Sequence, residues 1–223
     1  MFFSDRIIGI KPTDRVLEIG PGGTPHERAD VFLDVDPKSF KTELEASQQR
    51  GSAPELKTSK PVIYYDGLTF PFKNSEFDYV ICSHVLEHVE GLENFLKELF
   101  RISKKGYIEY PTILYEYLYN IPVHYNYLNY NYTKNTLYWL PKASSPLDYF
   151  KPIQNYLLET LSKGHTKLVD DLKEDMMQGF EWSKPFKLKL VNNVQDVTPK
   201  IKTISPPSLE TQAVLEKQVY IQG

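Results

Sequence analysis

The sequence predicts an open, mainly parallel α/β sheet, and three observations point to this fold class. The first half of the 223-residue chain alternates short apolar runs with polar connections, a pattern typical of strands buried on both faces. Glycines follow the first of these runs directly, at Gly20, Gly22 and Gly23. Between the fourth and fifth runs, apolar residues recur at helical spacing and predict a helix with one apolar face: Leu92, Phe95, Leu96, Leu99 and Phe100.

The apolar runs predict five strands in the first half of the chain, at residues 15–19, 31–35, 61–65, 77–82 and 106–110. In an open parallel sheet, ligands bind beyond the carboxyl ends of the strands. We therefore look for functional residues in the loops that follow each strand.

The second half of the chain differs in composition. Between Tyr115 and Trp139 there are eight tyrosines and one tryptophan, but only two charged residues. Residues from about 148 to 178 are predicted to be helical, 186–191 alternates like a half-exposed strand, and 218–222 is interpreted as a last strand. We expect one domain, with a ligand-binding half (1–115), a cap inserted after the fifth strand (116–178), and final strands and a tail (179–223) that complete the sheet.

Composition limits the classes of partner. The 26 basic and 29 acidic residues nearly cancel, so no long nucleic-acid footprint is expected. The single cysteine, Cys82, excludes an internal disulfide and a zinc site built on several thiolates, and the sequence shows no other metal-ligand cluster. No apolar run approaches the ~20 residues that span a membrane, and Asp5 and Arg6 interrupt any signal-like start. The chain is expected to be soluble and cytoplasmic; its oligomeric state does not follow from the sequence.

The most informative segment runs from Val16 to Pro25, with the sequence VLEIGPGGTP. Glycines after a first strand let the backbone turn sharply and approach a ligand closely. Glu18 within this segment is unsuited to a pyrophosphate, and Pro25 stands where a dinucleotide-binding motif has its third glycine. A ligand that carries an amino group and no phosphate fits this loop better.

Acidic residues follow the next two strands. Asp34 and Asp36 lie at the end of the second strand, where a carboxylate can accept hydrogen bonds from both hydroxyls of a ribose. Asp66 follows the third strand and could accept a hydrogen bond from the exocyclic amine of an adenine. The fourth strand leads into 83–89, which is expected to begin a helix beside the same crevice.

Three segments together resemble the class I S-adenosylmethionine-dependent methyltransferases, particularly their broad small-molecule branch. They are VLEIGPGG, DGLTFPFKNSEFDYVICSHVLEHV and GYIEYPT, and they cover roughly residues 14–113. The resemblance implies a Rossmann-like methyltransferase fold and S-adenosyl-L-methionine as the cofactor. It assigns the methionyl end of the cofactor to the first motif, through Glu18, Gly20, Pro21 and Gly22.

The same resemblance assigns the rest of the cofactor site. Asp34 matches the family's ribose-binding acid best and Asp36 competes with it, because Asp34 lies only 14 positions beyond Gly20, where about 20 is usual. The crossover from 24 to 30 then has room for only a short helix. Adenine is assigned to Asp66 and the Gly67 backbone, and the crevice near the sulfonium to Ser83 and His84.

Candidates for a general base are His124, within the tyrosine-rich cap, and His84, because histidine can accept a proton at neutral pH. The alternative is that His124 is an ordinary hydrogen-bonded histidine. Glu87 and His88 are interpreted as residues that cap and pack the predicted helix. Glu109 either faces the crevice or is paired within the sheet.

The tyrosine cluster has three interpretations: packing, the wall of a substrate pocket, or a stacking platform for single-stranded RNA. The RNA interpretation lacks interleaved basic residues. We expect an S-adenosylmethionine-dependent methyltransferase that acts on an oxygen or nitrogen of a small-molecule acceptor. The alternatives are a non-catalytic protein that binds S-adenosylmethionine or S-adenosylhomocysteine, and an RNA methyltransferase.

Overall fold

A computed structural model describes residues 1–36 and 56–200. The strands of its central sheet are Val16–Ile19 (β1), Val31–Val35 (β2), Val62–Tyr65 (β3), Tyr79–Ser83 (β4), Gly106–Pro111 (β5) and Met177–Trp182 (β8). These six strands lie in the order β3–β2–β1–β4–β5–β8. The first five in this order are parallel, and β8 runs antiparallel to β5. This architecture confirms the predicted α/β fold class.

Both faces of the sheet are covered, which explains why its strands are continuous apolar runs. On one face, Leu17, Val80 and Ile108 pack with the helix Leu92–Ile102 (α1). On the other face, the alternate residues Val16, Ile81 and Tyr107 pack with elements of the cap. The strand order reverses at β1, which has β2 on one side and β4 on the other. Such a reversal opens a crevice beyond the carboxyl ends of these strands.

The cap begins directly after β5. It contains four α-helices, Ile113–Tyr119 (α2), Lys151–Ser162 (α3), Lys167–Asp171 (α4) and Lys173–Met176 (α5), and a hairpin of two strands, Asn126–Asn131 (β6) and Thr136–Pro141 (β7). The strand Lys187–Leu190 (β9) pairs in parallel with β7, and a last short helix covers Val194–Val197 (α6). None of the helices in the described ranges is long and apolar enough to cross a membrane.

Several elements differ from the sequence prediction. Helical structure was expected up to about residue 178, but β8 begins at Met177, and it is this strand, not 186–191, that completes the main sheet. The half-exposed run instead forms β9 in the second sheet. The crossover between residues 24 and 30 contains turns and no helix. The predicted strand at 218–222 lies outside the described residues.

The segment after β4 also differs. Residues 83–89 do not open a helix; Leu86–His88 form a single 3₁₀ turn, and α1 begins only at Leu92, after Gly91. The physical reason is that this turn is bound to the cap. The Tyr125 N–H donates to the Glu87 carbonyl (2.6 Å), and the Asn126 side chain donates to the carbonyls of Leu86 (3.0 Å) and Val89 (2.6 Å). These cap donors take carbonyls that would otherwise serve a continuing helix.

Candidate functional site

The glycine loop after β1 has the backbone that the sequence predicted. Gly20 and Gly22 have φ values of +61° and +57°, in the left-handed region that favours glycine. The Gly20 N–H donates to the Leu33 carbonyl (2.9 Å), which holds the loop against β2. A Cβ at Gly20 would lie 2.6 Å from the side chain of Val85, whereas nothing lies within 4 Å of a Cβ at Gly22. The loop is therefore closed on its inner side and opens onto free space at Gly22.

Glu18 is buried beneath this loop, with 3% of its surface exposed. One described hydrogen bond reaches its carboxylate, from the His26 N–H to Oε2 (2.8 Å). Burial raises the pKa of Glu18 to about 7, against the opposing effect of that hydrogen bond. A cationic group bound nearby would favour the ionised carboxylate, and an amino group has this property.

The three aspartates lie at the ends of neighbouring strands. Val35 on β2 is paired with Tyr65 on β3, so Asp34, Asp36 and Asp66 share one edge of the sheet. Asp34 Oδ1 accepts the Val35 N–H (2.8 Å).

Asp66 is exposed and organises the turn that contains Gly67. Its Oδ1 accepts the N–H groups of Leu68 (2.9 Å) and Thr69 (3.2 Å), and these bonds lower the pKa of Asp66. The carboxylate is thus held ionised at the same edge as the β2 acids.

His84, the first residue after β4, is held between two carboxylates. Its Nε2 lies 3.0 Å from Glu109 Oε1 and its Nδ1 lies 3.3 Å from Glu87 Oε1. Burial by itself would lower the pKa of His84, but the hydrogen bond to Glu109 and the negative charge of the nearby Glu87 raise it to about 9. The ring is therefore an imidazolium at neutral pH, a charge state that does not suit a general base.

Glu109 is paired, which answers the question that the sequence left open. It is fully buried, and five donors reach its carboxylate: Phe2 N, Phe3 N, Ser83 Oγ, His84 Nε2 and Tyr107 Oη. Burial opposes ionisation, but the hydrogen bonds and the His84 charge lower the pKa of Glu109 to about 2. This carboxylate connects the first residues of the chain to the ends of β4 and β5.

His124 lies in the cap, 8% exposed, and is oriented by a buried acid. Its Nδ1 is 2.6 Å from Glu116 Oε1, and Lys142 Nζ lies 2.9 Å from Glu116 Oε2. His124 also lines a cavity of about 620 Å³ together with Tyr119, Tyr125, Trp139 and others. The two histidines named from the sequence therefore occupy different environments, and only His124 faces this cavity.

Some tyrosines of the cap pack in the protein interior, and others line the cavity. Tyr127 and Tyr130 are buried, and the Tyr130 ring stacks on Phe180 with centroids 3.7 Å apart. Tyr119 and Tyr125 line the cavity. Packing and a pocket wall are thus both represented within the cluster.

Sequence reasoning missed four residues that surround His124. Glu87 and His88, interpreted as helix-capping residues, lie beside it, and the His88 and His124 ring centroids are 4.6 Å apart. Glu87, His88 and His124 each offer an atom that could bind a metal ion, whereas the sequence suggested no such cluster. Glu116 and Lys142 complete the surroundings. No local signal could have found this set, because the fold joins the turn after β4 to a distant cap loop.

Comparison with known proteins gives the family of the first half. Residues 17–108 match the family model described as a methyltransferase domain. The sterol 24-C-methyltransferase erg6 of Schizosaccharomyces pombe is 29% identical over 103 residues, which is 44% of this chain and 27% of that protein. The chain thus matches about a quarter of that relative's length.

Two solved structures are similar at lower identity. The PH0226 protein of Pyrococcus horikoshii OT3 is 21% identical over 47% of this chain and 52% of its own, with a TM-score of 0.34. A methyltransferase of Thermotoga maritima, described as a possible histamine N-methyltransferase, is 21% identical over 49% of each chain, with a TM-score of 0.32. The family match confirms, over residues 17–108, the resemblance to class I S-adenosylmethionine-dependent methyltransferases and the cofactor it implies.

Proposed function

Because residues 17–108 match the methyltransferase-domain family, we propose that this chain transfers a methyl group from S-adenosylmethionine to an oxygen or nitrogen atom of a small-molecule acceptor. The observation that carries the proposal is the pairing of a buried carboxylate, Glu18, with a left-handed glycine loop that opens onto free space at Gly22. S-adenosylmethionine supplies an activated methyl group on a sulfonium, so the protein's own task is mainly to position the reactants and exclude water.

The residues at the crevice fit this cofactor. Glu18 suits the amino group of the methionyl end, since a cation there favours its ionised form. Asp34 and Asp36 are the candidates for the ribose hydroxyls, and Asp66 with the Gly67 backbone is the candidate for adenine. Ser83 and His84 border the methyl-bearing end. The His84 imidazolium positions the ends of β4 and β5 through Glu109 and does not take up a proton.

The cap cavity is the proposed acceptor site. It follows β5 in the chain, and its aromatic and proline lining suits a small organic molecule. His124 lines this cavity, and the contact of its Nδ1 with Glu116 fixes the orientation of its ring. Among the sequence candidates, His124 is therefore the residue proposed to act on the acceptor.

Cofactor binding is the first test, with a matched pair of glycine variants. Gly22 and Gly164 both have positive φ, and a Cβ added at either position would have no atom within 4 Å, but Gly164 lies in the loop between α3 and α4. Gly22→Val should fill the cofactor's space and weaken binding of S-adenosylmethionine and S-adenosylhomocysteine by more than about 100-fold, the effect of losing roughly 3 kcal/mol of contact. Gly164→Val should carry the same backbone strain and leave binding intact. Isothermal titration calorimetry, with NAD as a control ligand, measures both.

Other outcomes separate the alternatives. Equal weakening by both variants, or no cofactor binding in folded wild-type protein, would contradict the proposal. Cofactor binding without methyl transfer to any acceptor in a broad panel would favour the non-catalytic protein. Salt-dependent binding to RNA would favour an RNA acceptor.

A further inference from the structure

We propose that Glu87, His88 and His124 form a binding site for one divalent transition-metal ion, at the junction between the turn after β4 and the cap. One oxygen or nitrogen atom from each of the three residues lies within 4.8 Å of the others. Two imidazoles and one carboxylate are a ligand set that favours first-row transition metals over Mg²⁺ or Ca²⁺. Small side-chain rotations would bring these atoms to the separation of about 3.3 Å that ligand distances of about 2.0–2.1 Å require.

In both histidines, one ring nitrogen already contacts an oxygen atom of the protein, as is usual for histidines that bind a metal ion through the other nitrogen. His88 Nδ1 lies 3.0 Å from the Val123 carbonyl, and His124 Nδ1 lies 2.6 Å from the Glu116 carboxylate. Metal-binding histidines almost always donate their other ring N–H to a carbonyl or carboxylate, which fixes the tautomer and the ring orientation. Each Nε2 is therefore the nitrogen left to bind an ion.

Glu87 provides the independent observation. It is only 1% exposed, and neither of its carboxylate oxygens has a hydrogen-bond partner among the residues that the structure describes. His84 Nδ1 lies 3.3 Å from Oε1, an ion pair without hydrogen-bond geometry. A buried carboxylate without hydrogen bonds is costly. A bound cation would satisfy both oxygens at once.

The position of the metal site indicates that the ion would bind the methyl acceptor, an inference that rests on the proposed function. His124 lines the acceptor cavity, so an ion on its Nε2 would lie at the wall of that cavity. A bound metal lowers the pKa of a coordinated hydroxyl and orients it. The acceptor class expected is then a molecule with a hydroxyl or an adjacent pair of oxygens that can reach the ion, and His124 would act through the metal.

Metal binding can be measured without any methyl acceptor. The full chain, without a histidine tag, is treated with a chelator, dialysed and titrated with Co²⁺, Zn²⁺, Mn²⁺ and Mg²⁺. We expect about one Co²⁺ per chain with visible d–d absorption bands, Zn²⁺ competing for the same site, and Mg²⁺ binding at least about tenfold more weakly. The melting temperature should rise with ion concentration.

Matched variants test the assignment of ligands. Glu87→Gln and His88→Gln should each weaken Co²⁺ binding by at least about tenfold and change its absorption spectrum. The controls are Glu93→Gln and His165→Gln, which alter exposed residues of the same types outside the cluster and should bind as wild type. Circular dichroism shows whether each variant is folded.

The outcomes distinguish this inference from the proposed function. No saturable Co²⁺ or Zn²⁺ binding in the folded wild type, or binding that survives both ligand variants, would overturn the metal site. Wild-type protein that binds S-adenosylmethionine but no metal would overturn only this inference. Protein that binds the metal but no cofactor would overturn the proposed function and leave the site standing.

Discussion

The two buried carboxylates on either side of the turn after β4 are in opposite situations. Glu109, on the β5 side, is fully buried and receives five hydrogen bonds. Glu87, on the cap side, is 1% exposed and receives none from the described residues, although three histidines surround it. His84 lies between them and touches both. Glu109 is thus satisfied within the fold, whereas the missing hydrogen bonds of Glu87 are what the proposed metal site would supply.

The largest expected effect is on the free energy of unfolding when the charge of Glu109 or of Glu87 is removed. Glu109→Gln should destabilise the fold by about 3–5 kcal/mol, because it breaks a buried ion pair and leaves His84 charged. Glu87→Gln in chelator should change stability by less than about 1 kcal/mol, because His84 keeps its closer ion pair with Glu109 and the cost of burying the Glu87 charge is removed. Urea denaturation at pH 7 compares the two variants with wild type. Equal losses would show that the two carboxylates do not differ in the way described.

Glu18 is an intermediate case, with a single described donor, and it predicts a pH dependence. Its pKa rises from 4.5 in the unfolded chain to about 7 in the fold. Its stabilising contribution is therefore present below pH 4.5 and is lost as the pH rises to 7, because the folded protein holds the proton more tightly. Between pH 4.5 and 8, wild type should lose up to about 3 kcal/mol relative to Glu18→Gln, at 1.36 kcal/mol per pKa unit.

The control for this prediction is a second carboxamide variant, Glu159→Gln, which alters an exposed residue of α3 paired with Lys163. Its stability should follow that of wild type at each pH. A difference between wild type and Glu18→Gln that is constant across the range would contradict the raised pKa.

The smallest expected effect is on the affinity for Co²⁺ when Glu116, which contacts the proposed ligand His124, is changed. Glu116 orients His124 and is itself paired with Lys142. Glu116→Gln should weaken Co²⁺ binding by about 10–100-fold, the usual effect of losing a carboxylate behind a ligating histidine. The Glu159→Gln variant again serves as the control, in the same Co²⁺ titration. Unchanged affinity in Glu116→Gln would show that the charge of Glu116 does not support the metal site.

The sequence predicted the first half of the fold well for a physical reason. Each parallel strand is buried on both faces, so each is a continuous apolar run, and the glycine loop needs backbone conformations that glycine favours. β8 was missed because Gly179 interrupts its apolar pattern. In the sheet, that glycine leaves room for the Tyr107 hydroxyl, which a Cβ would overlap. This requirement depends on a long-range pairing that no local pattern carries.

The candidate site was predictable only in part, for a related reason. The glycines and acids of the cofactor crevice follow strand ends and can be recognised one by one. Glu87 and His88 meet His124 only after the cap folds back onto the turn, so nothing in their sequence neighbourhoods predicts it. The two neighbouring carboxylates likewise give His84 a charge state that its residue type does not reveal.

The hydrogen bonds between the turn after β4 and the cap have a consequence for the rate of turnover. Four of them join residues 86–89 to residues 123–126, through Glu87, His88, Leu86 and Val89. The wall of the proposed acceptor cavity is thus attached to the strand end at the proposed cofactor crevice. A hinge motion of the hairpin would have to break all four hydrogen bonds, so we expect molecules to exchange through the mouth of the cavity instead.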